Sequence, residues 1–104
     1  MTKNLVDNTH FLNLLLSTSR EQGVALLQTI TKEQLLLVSE IAKNIQLLPL
    51  PKKAKYLVTK KKKLVTRIAD RNLSRTKKLP LIRKNAVYVL SLLLSLKAQL
   101  SELQ

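Results

Sequence analysis

Thr31-Lys-Glu-Gln-Leu-Leu-Leu-Val-Ser-Glu-Ile-Ala-Lys-Asn-Ile-Gln-Leu-Leu-Pro-Leu-Pro51 is the stretch that decides the fold class. Thr31 stands three positions before Gln34, the capping-box pattern that opens a helix by giving partners to otherwise orphaned amides. Behind it Leu35, Val38, Ile41, Ala42 and Ile45 recur at helical spacing, while Glu40, Lys43 and Asn44 face away. Leu48-Pro-Leu-Pro51 then ends the pattern, because each proline disfavours helical geometry in the residue before it and lacks an amide donor. The spacing predicts a core helix over 32–47, followed by the clearest boundary in the chain.

Towards the N-terminus, Ser19-Arg-Glu-Gln22 repeats the start signal and predicts a helix over about 20–29, with Gly23 as its weak point. Before that, Leu5, Val6, Phe11, Leu12, Leu14, Leu15 and Leu16 form an irregular apolar face, consistent with a short helix near 8–17. Towards the C-terminus the helical period resumes at Lys52, and Ala54, Leu57, Val58, Leu64, Val65 and Ile68 share one arc of a helix over 52–71. Lys53, Lys60, Lys63, Arg67 and Arg71 lie to one side of that arc, and Lys52, Lys55 and Lys62 complete the opposite surface. Lys61 falls inside the apolar arc, so it either snorkels along its methylene stem or marks an irregularity. Ser74 is a candidate cap, and Pro80 fits the first turn of a final helix over about 81–102. There Ala86, Val89, Leu90, Leu93, Leu96 and Leu100 form a wide apolar band, and Lys84, Tyr88, Ser91, Ser95, Gln99 and Glu102 a narrow polar stripe. A helix this apolar is buried against something, either the 32–47 helix or a second copy in a homo-oligomer.

Composition agrees with helices. The 104 residues have room for one domain; one glycine and three aromatics, Phe11, Tyr56 and Tyr88, are too few for a sheet protein. The expected fold is an all-α small bundle of about four helices, one of them strongly basic. Within a single domain spanning 1–104, 1–51 is a neutral scaffold, 52–84 a basic segment and 85–104 a leucine-rich C-terminal helix. The longest apolar or Ser-containing run, Ala86 to Leu96, is about half of the roughly 20 residues a bilayer span requires. No secretory pattern follows Met1, and with no cysteine the expected setting is intracellular, in the nucleus or a virion.

The net charge of +13 is confined to one place. Acids and bases cancel within 1–51 and again within 85–104, whereas Lys52 to Lys84 carries fourteen Lys/Arg against the single acid Asp70. Lysines packed within a Debye length of roughly 8 Å repel, and a polyanion relieves that cost. A solvated, solubilising face is the bland alternative; four consecutive lysines, Lys60 to Lys63, with a second cluster at Lys77 and Lys78 exceed what solubility requires. The candidate nucleic-acid-binding residues are Lys52, Lys53, Lys55, Lys60, Lys62, Lys63, Arg67, Arg71, Arg75, Lys77, Lys78, Arg83 and Lys84. Lysine outnumbers arginine and Tyr56 is the only aromatic among them, so the pattern favours phosphate contact over base reading or stacking, and DNA over RNA.

Catalysis lacks its parts. His10 is the single histidine, Gly23 the single glycine, and the six acids are dispersed, so no metal set, phosphate loop or carboxylate pair is expected, nor any cofactor. Two other classes fit the same charge: an amphipathic protein on an anionic membrane surface, and a helical scaffold or oligomerisation protein whose lysine clusters form a nuclear-import signal. The cations of the final helix gather at its start, Arg83 and Lys84, which weakens the membrane reading.

Over residues 19–96 the chain also resembles the small basic core proteins encoded by adenovirus-like viruses and by Maverick/Polinton-type elements of invertebrates. The resemblance rests on a leucine-rich helix ending in Ile41-Ala-Lys-Asn44, a Leu/Pro turn, Lys60-Lys-Lys-Lys-Leu-Val-Thr-Arg-Ile-Ala69, Ser74, Lys77-Lys-Leu79 and an apolar tail. Lys84-Asn85 stands where that family has a Gly-Gly pair. The resemblance implies genome condensation within a particle, with Lys60 to Lys63, Arg67, Arg71, Lys77 and Lys78 at the basic positions.

Overall fold

The computed structural model describes residues 9–102, whose regular structure is all helical: α1 (Thr9–Ser17), α2 (Arg20–Gln28), α3 (Lys32–Ile45), α4 (Lys52–Lys60), α5 (Lys62–Ala69), α6 (Arg75–Lys84), α7 (Ala86–Ser95) and α8 (Lys97–Glu102). The all-α class holds, but eight short helices among the described residues replace the four or so expected. Leu5 and Val6, and the side chain of Glu102, lie outside the described residues.

The start signals act as read. Thr31 and Gln34 form the full capping box on α3. Ser19 accepts from the Gln22 amide at 3.2 Å, while the Gln22 side chain turns instead to the Thr18 hydroxyl. Ser74 caps α6 through the Lys77 amide at 3.3 Å. Its helix therefore begins at Arg75, and Pro80 sits inside it rather than in the first turn of a later helix. A proline there fits helical φ and removes one hydrogen bond, to the carbonyl of Thr76, on a side of the helix that water reaches.

The two long helices are cut at single residues. Lys61, at φ −128° and ψ 49°, divides the 52–71 span into α4 and α5. Asn85, at φ −106° and ψ 28°, and Leu96, at φ −106° and ψ 10°, separate α6, α7 and α8. A straight helix of 20 residues is about 30 Å long, whereas the whole fold measures 31 × 27 × 27 Å. Breaks let each apolar stripe turn with the core instead of running past it.

One hydrophobic cluster holds all of this together, from Phe11 and Leu12 to Leu100. The apolar face of α3 is buried as its spacing implied, as is the whole band from Ala86 to Leu100 within this one chain. α8 lies by α3, with Leu96 and Leu100 near Ile41 and Ile45, but α7 does not take α3 as its main support. The closest neighbour of α7 is α2, with α4 beside it, while α5 and α6 lie on α3. Gly23 is what permits the α2–α7 approach, since a Cβ there would lie 2.9 Å from a methyl of buried Leu90. Arg20 donates to the Ser91 hydroxyl at 3.1 Å across the same contact.

Candidate nucleic-acid interface

The cationic segment becomes α4, α5 and α6, each packing one narrow side and leaving the rest wet. Ala54, Val65, Ile68 and Ile82 are buried, and Leu57, Val58 and Leu64 are half-buried against the core. Of the fourteen cations between Lys52 and Lys84, thirteen remain exposed. Lys52, Lys53, Lys63, Arg67 and Lys77 stand on open surface, while the fold gathers others from distant parts of the sequence.

Lys60, Lys61 and Lys84 border one depression of about 310 Å3, floored by Leu57, Asn85 and Tyr88. The break at Lys61 makes this site. In an unbroken helix Lys61 would face the core at the cost of desolvating its ammonium. Leaving helical geometry turns the residue outward, where its Nζ lies 5.2 Å from the Tyr88 ring centroid and 3.5 Å from Asn85 Oδ1. The Tyr88 hydroxyl donates to the Leu57 carbonyl, and burial raises its pKa above the usual 10.0. Asn85 in turn donates its amide to the Leu81 carbonyl at 2.8 Å, so the polar floor is held from both sides. Lys61 is the cation of this segment absent from the candidate residues read from charge and helical phase. Its place in a run of four lysines was the available signal, and its helical phase argued against it.

A larger cleft of about 570 Å3 runs on the other side of α4 and α5, between Lys55 and Lys62 and the Leu48–Leu50 turn. A third hollow, about 280 Å3, brings Arg71 and Arg75 beside Glu40 and Lys43 of α3. Lys43 had no sequence signal, because it belongs to a charge-balanced helix. Asp70 accepts from the Asn72 amide at 2.9 Å and so shapes the turn between α5 and α6.

Two of the candidate residues serve the fold instead. Lys78 is buried, and its ammonium donates to Ser39 Oγ at 3.3 Å, tying α6 to α3. Desolvation lowers its pKa from the ordinary 10.5, with the nearby Asp70 charge acting in the opposite direction. It lines the hollow of Arg71 and Arg75 with its ammonium tied to Ser39, rather than standing on open surface. In the sequence it looked like its neighbour Lys77, yet the helical turn begun by Ser74 points one outward and the other into the core. Arg83 is exposed, and its guanidinium donates to the Ile30 carbonyl at 2.8 Å, satisfying the link between α2 and α3.

Among the described residues no group of three metal-ligating side chains occurs, and no helix is long and apolar enough to cross a membrane. No family model matches the chain, and no curated protein or solved structure matches it either.

Proposed function

We propose that this protein is a non-enzymatic, sequence-nonspecific nucleic-acid-binding protein that holds duplex DNA, in preference to RNA, through the exposed cations of α4, α5 and α6. The carrying observation is that folding leaves thirteen of fourteen cations in this segment exposed while joining its middle, Lys60 and Lys61, to its end, Lys84, in one depression. Single charges scattered by folding would dilute the field; gathered charges strengthen attraction for a phosphate backbone. Lysine predominates, so contacts go to phosphates and binding is blind to base order. Genome condensation in a nucleus or a virion, the role implied by the resemblance of residues 19–96, is the biological setting this chemistry fits.

The salt dependence of duplex binding tests the reading. With roughly six phosphates neutralised, log K falls against log salt with a slope near −5 for any duplex sequence. Replacing Lys60, Lys62 and Lys63 by Gln flattens the slope by about two to three, since each lost phosphate contact is worth roughly one. Anionic liposomes are the control surface. Tight liposome binding with a shallow DNA slope that the triple change leaves untouched would replace the proposal by a membrane-surface one.

A further inference from the structure

The cleft of about 570 Å3 differs in kind from the cationic surface around it. Leu48, Leu50, Val58 and Val65 make it mainly apolar, Gln46 and Thr66 add polar groups, Lys55 and Lys62 border it, and no acid lines it. Leu48 is 56% exposed and its neighbour Leu47 79% exposed, although both follow directly on the core helix α3. Pro49 and Pro51 flank Leu50 and hold this turn out of helical geometry, so the two leucines cannot fold back as a further turn of α3. Exposed leucines beside an apolar cleft of about 570 Å3 are an unmet demand for apolar cover, in the size range of about 300–1,000 Å3 usual for ligand clefts.

We infer that this cleft is a docking site for an acidic amphipathic helix of a partner protein, a function separate from nucleic-acid binding. Charge complementarity selects the occupant. Apolar side chains on one face of such a helix cover exposed Leu48 and half-buried Leu50 and Val58, and Asp or Glu at the edge of that face meets Lys55 and Lys62. Nucleic acid satisfies the two lysines and leaves the leucines wet, because phosphate and sugar offer no aliphatic cover. A second copy of this chain brings its own net charge of +13 to a lysine-bordered cleft. A flat bilayer covers Leu47 and Leu48 and does not reach the half-buried Leu50 and Val58 inside the cleft.

The test uses two synthetic peptides of about 16 residues with the same Leu and Glu content, one with Leu at helical spacing and one scrambled to remove the apolar face. Each is fluorescently labelled and titrated with the full chain by anisotropy at physiological salt. The amphipathic peptide is expected to bind at least about tenfold more tightly than the scrambled one. Leu48→Ser erases that difference, and Lys55→Gln with Lys62→Gln weakens both peptides while keeping Leu48-dependent discrimination. Duplex affinity of Leu48→Ser stays at the wild-type value, and far-ultraviolet circular dichroism reports that the exposed substitution leaves the fold intact. Equal binding of the two peptides, or discrimination that survives Leu48→Ser, would overturn the assignment. So would Leu48-dependent binding to anionic vesicles with no peptide discrimination, which assigns the leucines to a lipid surface instead.

Discussion

α3 and the α4–α5 pair pack against the same core with similarly apolar faces, yet their local chemistry is opposite. α3 begins with a full capping box and carries Glu33 in its first turn, offsetting Lys32, and Lys43 in its last, so cap and charges together support the helix. α4 and α5 have no side-chain cap at their starts and no acid in their first turns. They place Lys52 and Lys53, then Lys62 and Lys63, at the positive end of the helix dipole, where cations are unfavourable. The first helix is supported by its own sequence; the second pair is held by burial of Ala54, Val65 and Ile68 against the scaffold. Local rules broken together in one region point to function, and here the broken rule is one that a bound polyanion would repair.

Breaking the scaffold side of this comparison gives the largest effect. Ile41→Asp places an unpaired charge at a 2% exposed position of α3 and is expected to cost about 4 kcal/mol or more, enough to abolish a cooperative melt. A variant melting near wild type would refute the packing phase assigned to α3. Next in size is the response to polyanion. Duplex DNA at about 100 times its Kd should stabilise the fold by roughly 2.7 kcal/mol. Amide exchange should slow in α4 and α5 by a larger factor than in α3, and a uniform slowing would remove the idea that the basic helices are the strained part.

A smaller effect sharpens the contrast by exchanging charges between equivalent positions. Glu33→Lys in α3 should destabilise by about 0.3–1 kcal/mol, and Lys63→Glu in α5 should stabilise by a similar amount while weakening DNA binding. Denaturant midpoints check both, and shifts of the same sign would mean that dipole effects do not distinguish the two regions. The smallest effect concerns Lys78. Burial lowers its pKa from 10.5, so the cost of its buried charge is fully present below the folded-state pKa. That cost disappears as pH rises from there to 10.5, and stability rises over this window. Lys78→Met should remove the rise and leave the DNA salt slope within about half a unit of wild type. Tyr88, whose raised pKa contributes in the opposite sense above 10.0, is present in both proteins and cancels in the difference.

The capping residues show why helix starts were legible. Ser19, Thr31 and Ser74 act on amides three residues away, so their effect is contained in a short window. Breaks were only partly legible: the charge of Lys61 inside the apolar arc marked a possible irregularity, whereas Leu96 gave no such sign. Lys61 and Leu96 carry no proline or glycine signal; their departures from helical geometry answer to the curvature of a core built from residues far away. Gly23 looked like a defect in α2 because its purpose lies in Leu90, which is distant in the chain.

The amino-acid sequence by itself determined that the chain is helical, where its side-chain-capped helices start, which residues are apolar enough for the core, and that its net charge lies between Lys52 and Lys84. Those are properties of composition and of spacings within a few turns. Only the tertiary structure decided which cations are free to act. It turned Lys61 out over Tyr88, sank Lys78 beside Ser39, joined Lys60 to Lys84 and bound Arg83 to Ile30. A side chain's access to water depends on which elements cross above it, and that crossing is set by long-range packing that no local pattern encodes.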